Sequence, residues 1–177
     1  MKTRIVLPLV TVVLGFCVAL AEEAKEESKQ ESKNEKSEAF DKMKTLIGSW
    51  EGTMKEDGKE IAATARFQTV SDGSVLAAWL GEGTPYEMVT MFHMDGDSLM
   101  ATHYCTGHNQ PRFVLVMDGE RNRLVFAFKD GTNIKPEVGY MHQVAFILDG
   151  QNHHIQEWTF LKNDKKETAQ FDFKRKK

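Results

Sequence analysis

Cysteine is nearly missing from this chain. Its 177 residues include two, Cys17 and Cys105, and Cys17 falls in an apolar leader. One remaining cysteine cannot close an internal disulfide, so the fold must be held by its core. A basic stripe is missing too. Lys and Arg number 23 against 26 Asp and Glu, for a net charge of -3, which argues against nucleic acid as a partner. Beyond residue 20 there is no long apolar run, so no membrane span is expected in the mature chain. Recognised metal-ligand spacing is also lacking: His103, Cys105 and His108 form H-x-C-x-x-H, which is not a known metal signature.

The features that are present begin with a leader. Lys2 and Arg4 precede an apolar run from Ile5 to Leu20, and Ala19-Leu20-Ala21 is a small-x-small site before Glu22. This pattern predicts a signal peptide over 1–21 and a secreted or periplasmic protein. A retained anchor and a lipid-modified Cys17 are the alternatives. The latter is opposed by the bulk of Phe16. Residues 22–38 are Glu, Lys, Ser, Gln and Asn with no large apolar side chain, a composition that predicts a charged, disordered tether. Residues 39–177 are the right length for one domain.

The domain opens with a short helix. Ser37 is the expected cap, Phe40, Met43, Leu46 and Ile47 share one side, and Gly48 ends it. From there a period of two runs to the end of the chain. Strand-like runs start near residues 50, 60, 74, 86, 98, 112, 123, 139, 153 and 167, with Asp-Gly at many of the turns, a strong hairpin signal. On the second run Ile61, Ala63, Ala65 and Phe67 share a face. Ten sequential hairpin strands leave two long edges unless the first and last join. The expected fold is therefore all-β, an antiparallel up-and-down ten-stranded barrel with a short N-terminal helix. An open or split sandwich is the alternative. In such a meander the short turns near 72, 96, 119 and 150 gather at one end with the helix. The long loops 81–85, 106–111 and 131–138 gather at the other, which predicts a cup with a plugged floor and a decorated rim.

Gly48-Ser49-Trp50 resembles the opening motif of lipocalin-type (calycin) barrels, and Gly48-Ser49-Trp50-Glu51-Gly52 is similar to the start of nitrobindin-like ten-stranded barrels. The stretch 102–112, with Asn133 and His142, resembles secreted bacterial lipocalin-like domains. The resemblance implies a barrel holding a small apolar or amphipathic molecule. In nitrobindin-like proteins a late-strand histidine binds haem, and His142 and His154 are on late strands here. Met54 departs from that family, which continues with another glycine.

The densest set of candidate ligand groups is the stretch from Thr102 to Arg112. Leu99, Ala101, His103 and Cys105 share one face of their strand, and Met100, Thr102 and Tyr104 the other. If the first face looks inward, His103 and Cys105 point into the barrel, and His142, on a face with Tyr140, Val144, Phe146 and Leu148, approaches His103 across it. Arg112, if inward, suits a ligand carboxylate. The expected ligand-binding set is His103, Cys105, Arg112, Asn133, Tyr140 and His142. The competing readings are an enzyme that uses Cys105 as a thiol nucleophile with His103 or His142, and an interaction module whose barrel is filled by its own side chains. Asn109, Gln110 and Pro111 also have a structural use in the turn and the strand start.

Overall fold

A period of two makes each strand two-faced, and only closure gives every inward face a partner and every edge a ladder. The structure, a computed structural model describing residues 25–26, 36–56, 58–116 and 119–177, closes in this way. The expected leader 1–21, most of the tether and the turn residues 57, 117 and 118 lie outside the described residues.

A helix, α1, spans residues 36–44. After it come ten strands: β1 (Gly48–Glu56), β2 (Lys59–Val70), β3 (Val75–Leu80), β4 (Met88–Asp95), β5 (Ser98–Tyr104), β6 (Gln110–Val116), β7 (Arg123–Thr132), β8 (Tyr140–Leu148), β9 (His153–Lys162) and β10 (Lys165–Arg175). Each pairs with its sequence neighbours, and β1 closes against β10, from Trp50 opposite Arg175 to Lys55 opposite Gln170. The expected all-β up-and-down barrel is the fold observed, and the sandwich alternative is excluded. The inward row packs one core that includes Phe67, Phe92, Phe113, Phe126, Phe146 and Phe173.

The helix plugs the short-turn end, as expected. Ala39, Phe40, Met43 and Leu46 are buried in the barrel core. Ile47 departs from that stripe and is exposed, because the helix has already given way to a turn at 45–46. The Trp50 Nε1–H donates to the Leu46 carbonyl (2.7 Å), so the first strand and the plug are tied at one residue. Arg175 completes the clasp from the last strand. Its guanidinium donates to the carbonyls of Ile47 (2.6 Å), Thr45 (2.7 Å) and Gln151 (2.9 Å) and lies over the Trp50 ring. Gly52 explains the second glycine of the opening motif. A Cβ there would stand 1.8 Å from the Asp172 carbonyl oxygen, so the β1–β10 seam closes only around a bare backbone.

Two bulges interrupt the alternation. The β6–β7 register shifts between Arg112 and Phe113, and the β8–β9 register shifts between Met141 and Gln143. Each places an extra residue in one strand and re-aims the side chains next to it.

Candidate functional site

The packed core fills the barrel from the helix end, and a cavity of about 580 Å³ opens at the other. Its walls come from the ends of strands nearest the long loops. Met54 lies on β1, Ile61 to Thr64 on β2, Leu80 on β3, Met88 on β4 and Phe171 on β10, with Gly81, Thr84 and Tyr86 from the loop after β3. The register puts Met54 opposite both Ile61 and Phe171, and Leu80 opposite Met88. Alternation then turns these side chains to one face, above the core. Space exists there because β2 presents Ala63 where the core below has Phe67. The loop between β3 and β4 is a folded turn. Gly81 and Gly83 take positive φ, the Thr84 hydroxyl donates to the Gly81 carbonyl, and Glu87 accepts from the Gly83 N–H (2.7 Å). Tyr86 stands on it, 76% exposed.

Elsewhere the interior carries a polar chain. Trp158 can only donate, so its Nε1–H to Gln156 Oε1 (2.9 Å) fixes that amide. Gln156 Nε2 must then donate to His154 Nε2 (3.1 Å), which leaves the His154 proton on Nδ1. That atom is buried with no partner among the described residues. Across the Trp158 ring lies His103, its centroid 4.7 Å away, with Nδ1 hydrogen-bonded to Thr90 Oγ1 (2.8 Å) and Nε2 buried without a partner among the described residues. Burial pushes both imidazoles down to about 3, and His153 and Arg175 add to the effect on His154. Both are neutral in the folded protein at physiological pH.

The sequence-predicted residues do not converge on one place. His103 is inward, as its face allowed, but it belongs to this polar chain and not to the cavity wall. Cys105 is half-buried at the start of the next loop, and its sulfur has no hydrogen-bond partner among the described residues. Among the described residues, no hydrogen bond joins Cys105 to His103 or His142. His142 does not meet His103. The bulge makes Met141 the residue that packs on the core, and His142 stacks on Phe128 beside Tyr140. Burial and the nearby Lys166 hold its imidazole below the usual range. Arg112 is exposed and pairs with Asp130, so the condition for an internal carboxylate anchor is not met. Asn133 donates to the His108 carbonyl (3.3 Å).

The loops at 105–109 and 133–139 thus hold each other. Asn109 is fully buried, and its amide donates to the Gly139 carbonyl (2.8 Å). Asn163 N–H donates to the Pro136 carbonyl (3.0 Å). Of the three long loops, only that at 81–85 reaches the cavity. Sequence reasoning missed Met54, Leu80, Met88 and Phe171. The available signal was Ala63 and Ala65 on one inward face, where small side chains leave room.

No protein-family model matches the chain, and no curated protein does. Function is therefore read from the geometry of the chain itself. The late-strand His154 is not placed to hold a porphyrin iron. Its Nε2 is taken by Gln156, it is enclosed by Trp50, Phe67 and Phe173, and among the described residues no histidine lines the cavity. Among the described residues, no three His, Cys, Asp or Glu side chains converge as a metal site would require.

Proposed function

We propose that the protein is a binding protein that holds a small, largely apolar molecule at the long-loop end of its barrel. The supporting observation is the cavity of about 580 Å³ walled by Met54, Ile61, Ala63, Leu80, Met88 and Phe171. That volume is within the range of roughly 300–1,000 Å³ that takes a drug-sized ligand. Two methionines suit such a wall, since their unbranched thioethers adapt to different shapes. The leader pattern supports action outside the cytoplasm, in a secreted or periplasmic setting. The lipocalin-type opening motif is consistent with this use, and here it locks helix, first strand and last strand together.

Titration with Nile red, a neutral dye that brightens in apolar surroundings, tests the reading. The protein is expected to bind one equivalent. Ala63→Phe, which adds bulk to the wall, is expected to weaken binding at least about tenfold while the far-ultraviolet spectrum is retained. Absence of binding, or equal binding by the folded variant, would overturn the proposal.

A further inference from the structure

Resting on that binding reading, we infer that the cavity selects for ligands without charge, so that neutral molecules such as long-chain alcohols, esters or hydrocarbons are its class and fatty acids are rejected. The wall shows why. Met54, Ile61, Ala62, Ala63, Leu80, Met88 and Phe171 offer no hydrogen-bonding side chain, and the polar remainder is Thr64, Thr84 and Tyr86. Among the described residues, no lysine, arginine or histidine lines the space. A carboxylate buried there would lose its water and find no cation, the arrangement that costs most in an apolar site.

The basic side chains next to the wall in sequence are already paired. Arg66, the nearest guanidinium in sequence to the wall, is bound on both forks by Glu82 (2.7 and 2.6 Å) and lies over Trp79. Lys55 faces Glu60 (3.6 Å). The Glu87 carboxylate sits in the same loop that supplies Thr84 and Tyr86 and accepts from Gly83. Arg112 is occupied by Asp130 away from this wall. Each of these cations therefore already has a carboxylate, and the loop over the cavity adds a further negative charge.

The experiment is competition against bound Nile red by dodecanol, methyl dodecanoate and dodecanoic acid at pH 7.5, each below its aggregation threshold. The alcohol and the ester are expected to displace the dye with similar strength, and the acid roughly 100-fold less well. Ile61→Arg supplies the second arm. Ile61 is 49% exposed, so a charged side chain can reach water there without disturbing the core. This variant is expected to shift the ratio of acid to alcohol affinity about tenfold towards the acid. Acid and alcohol binding equally to the wild-type chain would overturn the inference and leave the binding reading intact. Displacement by none of the three, with Nile red itself unbound, would overturn both.

Discussion

At the scale of single residues, the interior is decided by donors that have only one choice. Gln156 is held between Trp158 and His154 because an indole cannot accept and an amide has one face of each kind. Gln156→Leu leaves a buried indole N–H and a buried imidazole nitrogen unmatched. The expected cost is about 2–4 kcal/mol in urea unfolding, against a much smaller effect for an exposed Gln170→Leu control. Asn109 has a comparable role in the loops. In sequence it reads as a local turn residue, yet its amide reaches Gly139, thirty residues along the chain. Short-range preference identifies the residue type and does not reveal so distant a partner.

At the scale of elements, the strands were legible and their facing was only partly so. Asp-Gly punctuation and strict alternation locate nearly every strand within a few residues, because turn chemistry and side-chain period are local properties. Bulges are not. Counting back from Val144 sets His142 in the inward row, but the extra residue between Met141 and Gln143 breaks the alternation, so that Met141 also packs on the core and His142 stacks on Phe128. The cavity was hidden for a related reason: an empty space is set by what crosses the barrel from several strands, and no one strand states it. The seam gives two predictions. Gly52→Ala sets a methyl against the Asp172 carbonyl, and is expected to cost about 3 kcal/mol or more, with amide exchange accelerated first along β1 and β10. Arg175→Ala removes three bonds to carbonyls and the cover over Trp50. The expected loss is about 2–3 kcal/mol, seen as a lower Tm and faster exchange in α1. Arg175→Lys is expected to restore less than half of it, since an ammonium cannot fork.

At the scale of the molecule, four histidines shape the response to pH, and His142, lowered by burial and Lys166, acts in the same sense as the buried pair. His103 and His154 are depressed to about 3 in the folded state, against about 6.5 when unfolded. The unfolded chain therefore takes up protons first as pH falls. Their stabilisation is complete above about 6.5 and is lost from there towards 3, with each imidazole contributing up to about 1.4 kcal/mol per pH unit. His153 works in the opposite sense. The hydrogen bond to Asp149, with Asp172 adding to it, raises its pKa. Its contribution is full below about 6.5 and is lost as pH rises through the raised value. Urea midpoints are expected to peak near neutrality, to fall steeply between pH 6 and 4, and to decline gently above 7. His153→Gln is expected to remove the alkaline decline alone, and His103→Leu to lessen the acid slope.

The joining of β1 to β10 also sets an order of events for a chain still being made. The Ile47 carbonyl and the Arg175 guanidinium that meets it are 128 residues apart, so the ring stays open until its final ten or so residues leave the ribosome. Until then two unmatched edges are exposed to neighbouring chains. A transcript cut short by even one strand would yield no smaller ring, only an adhesive ribbon.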